Sequence, residues 1–342
     1  MNTFNELNDY VRTYLDPKEF PQIRNELVEL LENANVLVTG AQGMLGKSIM
    51  KYLIYANNEG HIRPNKLLFA SRTWNLYEKF QNQPNISLIA NSEISDCIKE
   101  VNILIHTASP SNVTKVNSLE ELLSINTSIF RLINSSEIRK IIFISSGEVY
   151  GTQAPNEDQK IPDFDLSIKR NWYPAAKMAG EKLLNEFPPN IATSIRLFHT
   201  FGPGVKEDDG RSFADFLWAA ARGKDIILKS IGLQERSYLY IPDAVEGIFR
   251  VMEQSNNTEP IFNLGSEKKL TVLSFAEMVS QKTDTTLRYE FTKEFEHSPN
   301  QSLFPNTTKL KSLGWNANHD LSFAIDKTLQ WIRNSSQGEL AR

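Results

Sequence analysis

One cysteine in 342 residues, Cys97, excludes an intrachain disulfide and suits a reducing compartment. The chain lacks any apolar run near the roughly 18 residues that a membrane span needs. Its N-terminal stretch, MNTFNELNDYVRTYLDPKEF, carries acids and lacks the apolar centre of a signal peptide. A cytoplasmic protein is expected. Basic charge is also scarce: 37 Lys and Arg stand against 41 Asp and Glu, a net charge of −4. With no cationic field for nucleic acid or an anionic membrane, neither is an expected partner. An anionic ligand must be gripped locally, by a few arginines and backbone amides. His61, His106, His199, His297 and His319 are dispersed without paired-ligand spacing, so no metal site is expected. Internal repeats and low-complexity segments are missing as well.

What is present is ordinary globular composition, 40% hydrophobic and 23% charged. Residues 1–33 read as a helical extension, with Leu7, Tyr10, Val11, Tyr14 and Leu15 at helical spacing, and then Ile23, Leu27, Leu30 and Leu31 after Pro21. Residues 34–199 alternate. Strand-like runs fall at Asn35–Thr39, Lys66–Ala70, Ile86–Ala90, Asn102–Thr107, Lys140–Ser145 and Ile191–Phe198. Helical patterns at Met44–Ala56, Leu119–Ser136 and Ala175–Phe187 lie between them. This alternation predicts a doubly wound α/β fold, a parallel Rossmann sheet covered on both faces. Residues 200–342 read mainly as a smaller substrate lobe, with some segments returning to the main sheet.

The segment from Asn35 to Gly46, NVLVTGAQGMLG, passes from a buried strand into a helix. Gly40, Gly43 and Gly46 allow a tight turn, close approach of a pyrophosphate and helix-on-strand packing. The helix N-terminus then offers unpaired amides and a positive dipole end. Gln42 and Met44 fall in the same turn. At the end of the second strand, Leu67–Arg72 contains no acid. An NAD site commonly places a carboxylate there for the ribose hydroxyls, whereas Ser71 and Arg72 suit the 2′-phosphate of NADP(H). NADP(H) is the expected cofactor. NAD(H) stays open, since Arg72 also reads as a solvated loop residue.

Tyr173 and Lys177 lie four apart on one face of a helix whose first turn tolerates Pro174. An ammonium beside a phenol, near a cationic nicotinamide, favours phenolate, so Tyr173 is expected to titrate below the usual tyrosine range and to exchange a proton with a substrate oxygen. Upstream, a strand runs into Ser145-Ser146-Gly147-Glu148-Val149-Tyr150-Gly151.

In this order, these segments resemble the extended short-chain dehydrogenase/reductase superfamily, in particular the NAD-dependent epimerase/dehydratase family of nucleotide-sugar enzymes. The resemblance covers most of residues 34–334. It implies a catalytic set of Ser146, Tyr173 and Lys177, with Ser146 orienting the reacting oxygen. It also places Ala108 and Ser109, in the segment Ile105–Pro110, along the nicotinamide ribose, and makes Asn126 structural. Arg236 would bind the nucleotide portion of the substrate, where an arginine fork suits a diphosphate; the plainer reading pairs it with Glu235 or Asp243. A homodimer through the helices Leu119–Ser136 and Ala175–Phe187, and a place in polysaccharide biosynthesis, follow from the same resemblance.

Within the family, the HTASP segment, Ser-x-Glu-Val-Tyr-Gly at 146–151, Arg170, and Asp208-Asp209-Gly210-Arg211 resemble UDP-glucuronate decarboxylases. Arg170, His199, Arg211 and Arg236 are the expected substrate contacts. Glu148 reads equally as an acid/base near C5 or as a carboxylate in a structural network. His199 replaces a common asparagine and reads equally as a substrate contact or a structural histidine. Gly147 stands where dehydratases carry an acid. The missing acid after the second strand departs from decarboxylases and favours an NADPH-dependent reductase of a 4-keto sugar nucleotide, with Tyr173 protonating the C4 oxygen. The second reading is an internal-redox decarboxylase, dehydratase or epimerase that uses Glu148. A catalytically silent dinucleotide sensor is disfavoured by the intact Tyr173 and Lys177. The pairs Glu120-Glu121 and Asp208-Asp209 read as solvated faces or loops.

Overall fold

Val36, Leu37 and Val38 of β1 (Asn35–Thr39) are wholly buried, as a strand covered on both faces requires. The computed structural model describes residues 19, 21–72, 74, 84–110, 116–133, 136–153, 155, 157, 161–291 and 304–336. After β1 come β2 (Lys66–Ser71), β3 (Ile86–Ala90), β4 (Ile103–His106), β5 (Lys140–Ser146) and β6 (Ala192–Leu197). Four short strands follow, β7 (Thr200–Phe201), β8 (Ile226–Leu228), β9 (Glu235–Ser237) and β10 (Leu239–Tyr240), before β11 (Ile261–Leu264) returns to the main sheet. The order is β11-β6-β5-β4-β1-β2-β3, with every neighbouring pair parallel. This is the Rossmann-like α/β architecture expected from the alternating pattern. The short strands pair outside it, β7 with β10, β9 with β12 (Lys269–Thr271), and β8 with β13 (Leu287–Tyr289).

The longer helices among the described residues are α1 (Asn25–Leu31), α2 (Met44–Asn58), α3 (Leu119–Thr127), α4 (Trp172–Leu184), α5 (Ser212–Ala221), α6 (Ile241–Met252), α7 (Val272–Gln281) and α8 (Leu321–Ser336). Two of them depart from expectation. The pattern through Ser136 breaks at Thr127 and continues as a 3-10 turn over Ser128–Leu132. Asn126 Nδ2 and Thr127 Oγ1 each donate to the carbonyl four residues back, at 2.8 Å, a back-bonding that bends helices. Helix α4 starts at Trp172, earlier than expected, so Tyr173 and Lys177 both stand within it.

The first expected helix of the extension, Leu7 to Leu15, lies outside the described residues. The second is α1, which buries Leu27 and Leu31. Ahead of it, Arg24 pairs with Glu246 at 2.7 Å and Glu253 at 2.6 Å, and the Tyr240 hydroxyl donates to Glu19 at 2.7 Å. These bonds tie the extension to α6 and β10. Among the described residues, no helix is long and apolar enough to cross a membrane.

Parallel pairing brings the carboxyl ends of β1, β2, β4 and β5 to one edge. Thr39 aligns with Ala70 and with His106, and Ser146 ends β5 on the same side. Crevices outside such strand ends are where open α/β sheets bind ligands.

Candidate active site

The glycine turn forms as its spacing predicts. Gly40 has φ +70°, and a Cβ there would lie 2.7 Å from the Ala108 backbone. At Gly46 a Cβ would sit 2.3 Å from the Gly40 carbonyl oxygen, so helix α2 closes on the strand end only without a side chain. At Gly43 the same construction meets only the Gly40 oxygen at 3.2 Å, which leaves the outer face of the turn open. First-turn amides of α2 have no carbonyl within the helix, so the turn fits a dinucleotide pyrophosphate. Gln42 and Met44 are half-buried in this turn, and Ala108 and Ser109 are half-buried beside it. Ser71 is buried at the end of β2, while Arg72 is exposed just beyond. Gly46→Ala is expected to cost about 1–3 kcal/mol, because the clash is with backbone. Thermal melting and dinucleotide titration together check it; unchanged dinucleotide affinity would remove this turn from the cofactor site.

The candidate catalytic groups converge. Ser146 Oγ accepts from the Glu148 amide at 3.2 Å and so starts the turn Gly147–Tyr150. The Ser146 hydroxyl draws the Tyr173 phenol down. Lys177, 2% exposed, donates to the Ile144 carbonyl at 2.7 Å, with its ammonium 5.0 Å from the Phe143 ring and 5.8 Å from that of Tyr173. Gly180 permits this seating, since a Cβ there would lie 2.5 Å from the Phe143 ring. The expected acidification of Tyr173 is absent from the protein alone. Burial, then the Glu148 charge, pushes its phenol up to about 12, against the Ser146 hydroxyl and the Arg211 charge. Lys177 is pushed down to about 7 by burial, with Glu181 opposing. An ammonium satisfied by a backbone carbonyl cannot by itself hold Tyr173 as phenolate.

Glu148, in the turn just past β5, is exposed. Desolvation raises its carboxyl above the usual range, while the charges of Arg211 and Arg236 pull it back. Arg211 is held by Asp209 in a two-pronged pair, 2.5 and 2.8 Å, and lies 4.7 Å over the Phe213 ring. Asp209 is therefore no solvated loop acid: it is buried and fixes the fork. Arg236 donates to the Glu235 main-chain carbonyl at 2.9 Å. Asp243 instead holds the His319 ring at 2.8 Å and the amides of Asn318 and His319. His199 stacks near Tyr238 and is pushed down to about 3 by burial and then by Arg211 and Arg236, so it faces any ligand as a neutral imidazole. Arg170 is exposed, one turn before Tyr173.

His106 is turned away from the cleft. Its Nδ1 accepts from Thr39 Oγ1 at 2.6 Å and its Nε2 faces the Ile125 carbonyl at 3.0 Å. A carbonyl only accepts, so Nε2 carries the proton and the ring is a neutral brace between β1, β4 and α3.

A sequence model of the NAD dependent epimerase/dehydratase family matches residues 36–265. The chain belongs to this family. Among curated relatives, UDP-glucuronic acid decarboxylase 4 of Arabidopsis thaliana is 29% identical over 293 residues; the match covers 82% of this chain and 64% of the relative, so the chain spans under two thirds of that protein. UDP-glucuronic acid decarboxylase 3 of the same plant is 27% identical over 296 residues, covering 83% of this chain and 84% of the relative. The fold is shared with a UDP-glucuronic acid 4-epimerase from Bacillus cereus, solved as a mutant with UDP-4-deoxy-4-fluoro-glucuronic acid and NAD. That comparison has a TM-score of 0.73 at 18% identity, over 88% of this chain and 99% of the other. A UDP-N-acetylglucosamine 4-epimerase from Methanobrevibacter ruminantium, in complex with UDP-N-acetylmuramic acid, gives 0.73 at 20% identity over 89% and 99%.

Against that family background, Gly147 has a physical cause. A Cβ there would lie 2.7 Å from the Phe198 ring, so the position cannot carry the acid expected of a dehydratase. Two further features escaped the sequence reading, the Asp209 anchor and a buried Glu181–Arg196 pair behind Lys177. Glu181 carried one signal, its place four residues after Lys177 on the same helix.

Proposed function

We propose that this protein is an internal-redox decarboxylase of a nucleotide hexuronate, of the UDP-glucuronate type, with a retained dinucleotide. The observation that carries this reading is the place of Glu148, a carboxyl just past the end of β5 that lies within the fields of Tyr173, Arg211 and Arg236. A C4 ketone reductase needs one proton donor, Tyr173, and a 4-epimerase likewise acts at C4 alone. A second acid finds its use when a carbanion forms at C5. The names of the curated relatives support the same choice.

A dinucleotide held by the Gly40–Gly46 turn would supply a reversible hydride acceptor for C4. Tyr173, as phenolate, takes the C4 hydroxyl proton, and Ser146 orients that oxygen. A bound oxidised dinucleotide would add positive charge beside Tyr173, against the burial that holds its phenol up to about 12. With C4 a ketone, the C5 carboxylate is a β-keto acid: the C5–C6 bond breaks, carbon dioxide leaves, and the electron pair enters an enolate across C4 and C5. Ser146 and Tyr173 hydrogen-bond the enolate oxygen. Glu148 gives its proton to C5, and Tyr173 finally returns a proton to the C4 oxygen. Arg236 and Arg211 bind the anionic parts of the substrate, with neutral His199 as a hydrogen-bonding neighbour and Arg170 at the rim.

Ser71 and Arg72, without a carboxylate nearby in sequence, support NADP(H) at this site, whereas the Bacillus cereus neighbour was solved with NAD. Incubating the purified protein with UDP-glucuronate and following pentose product, carbon dioxide and dinucleotide absorbance tests the function. Carbon dioxide with no net dinucleotide change is expected. Galacturonate product without carbon dioxide would make it an epimerase, and stoichiometric NADPH consumption with a 4-keto sugar would restore the reductase. The cofactor released on denaturation identifies which dinucleotide is held.

A further inference from the structure

Glu148 lies in the short 3-10 turn Gly147–Tyr150, between two anchors. The first is Ser146 on β5, whose Oγ accepts from the Glu148 amide at 3.2 Å. The second is Tyr150, two residues beyond Glu148 and 0% exposed. The Arg196 guanidinium of β6 lies 4.7 Å over its ring, and the Phe198 ring, just past β6, stacks at 6.4 Å and 27°. Its hydroxyl donates to Asn263 Oδ1 on β11 at 2.9 Å. Asn263, also 0% exposed, is fixed on its other sides: Nδ2 donates to the Asn306 carbonyl at 3.3 Å, and the main-chain amide to the Glu157 carboxylate at 3.1 Å. A carbonyl only accepts, so Nδ2 faces Asn306 and Oδ1 faces Tyr150. Stacking restrains a ring but lets it slide, whereas a buried hydrogen bond sets a distance and a direction. Glu148 is thus carried between Ser146, on β5, and Tyr150, bonded to β11.

We propose that Tyr150, through its hydrogen bond to Asn263, is a positioning residue that holds Glu148 where it delivers a proton to C5. This rests on the reading of Glu148 as the C5 acid given above. Wholly buried, Tyr150 has no surface to offer a substrate, and its influence passes through the turn. Without the hydroxyl, Asn263 Oδ1 loses its donor in a buried setting and the ring is held by stacking alone. Ser146 stays in β5, paired with Leu197 of β6, and Tyr173 and Lys177 stay on α4, so oxidation at C4 does not depend on this bond. Protonation at C5 does, because an acid displaced by a fraction of an ångström no longer meets the reacting carbon at contact distance.

The test uses the dinucleotide-loaded full chain, UDP-glucuronate and the variants Tyr150→Phe and Asn263→Ala. In Tyr150→Phe, single-turnover oxidation at C4 is expected within about twofold of wild type, while kcat falls about tenfold and reduced dinucleotide accumulates. In deuterated water the product's deuterium at C5 loses part of its selectivity for one face. Asn263→Ala removes the same bond from its other end, so the double variant is expected to lose little more than either single one. An equal loss in C4 oxidation and in overall turnover overturns the proposal and leaves Tyr150 purely structural; an unchanged kcat overturns it as well. Should Tyr150→Phe not fold, Asn263→Ala alone carries the comparison, with the same outcomes. If the wild-type protein releases no carbon dioxide from UDP-glucuronate, the functional reading fails instead. The infrared carboxyl band of Glu148, isolated by difference from Glu148→Gln, then decides whether Tyr150 holds Glu148: a band altered in Tyr150→Phe supports it, and an unaltered band overturns it.

Discussion

Phenylalanine at position 173 is expected to lower kcat about a thousandfold while nucleotide-sugar binding stays nearly unchanged, the usual scale for losing a positioned acid/base. The substitution removes one hydroxyl and keeps the ring, which packs against Val116, Leu122 and Ala176, so the fold should persist with a similar melting temperature. What disappears is the hydroxyl that feels Ser146, Glu148 and Arg211. Its titration also sets a pH dependence for the oxidative half. A phenol raised by burial is neutral at ordinary pH, and only the phenolate can take the C4 hydroxyl proton. The oxidation rate in the wild type should therefore climb as pH rises toward the phenol's titration, and that climb should vanish in Tyr173→Phe. Rapid-mixing measurement of dinucleotide reduction across pH checks both statements. A kcat within tenfold of wild type would take Tyr173 out of the chemistry.

The parts of this site that could be read from sequence are those carried by one strand, one turn and one helix. The turn Gly40–Gly46 and the segment Ser146–Glu148 each follow a buried strand, and Tyr173 and Lys177 share one helix, so spacing along the chain already fixes their geometry. Contacts between distant segments left no such mark. Arg196 meets Glu181 because β6 lies beside β5, against which α4 packs, and nothing in either local pattern says so. Asp209 read as a loop acid because it follows another acid, Asp208; the burial and the Arg211 partner that give it meaning come from the fold. The expectation for Tyr173 included a cationic nicotinamide beside it; in the protein alone, burial and then the Glu148 charge hold the phenol up to about 12. Spacing correctly set Lys177 on the same face, but it could not reveal that the ammonium turns to the Ile144 carbonyl or that Glu148 faces the phenol. The alternating pattern located the sheet well, since parallel strands are apolar throughout, whereas the end of α3 was set by the side chains of Asn126 and Thr127 bonding back to its own carbonyls.

Glu148→Gln should separate the two halves of the proposed reaction. Glutamine keeps the shape of the side chain and carries no transferable proton, so oxidation at C4 and loss of carbon dioxide should proceed while protonation at C5 becomes slow. Overall kcat is expected to fall by about a hundredfold. Reduced dinucleotide should accumulate in a single turnover, because the hydride cannot return until the C4 ketone is restored from the enolate. In deuterated water the wild-type product should carry one deuterium at C5, delivered to a single face; in Glu148→Gln that facial selectivity should weaken as solvent replaces the carboxyl. The pH dependence has a definite sign. Burial raises the Glu148 carboxyl, outweighing Arg211 and Arg236, so its acid form persists to higher pH than an ordinary carboxyl's. Activity that depends on the acid form is complete below that titration and is lost as pH rises through it, a decline that Glu148→Gln should abolish. If instead the variant oxidises C4 no faster than it turns over, with no reduced dinucleotide building up, Glu148 acts before or during oxidation, and the C5 proton must come from another donor.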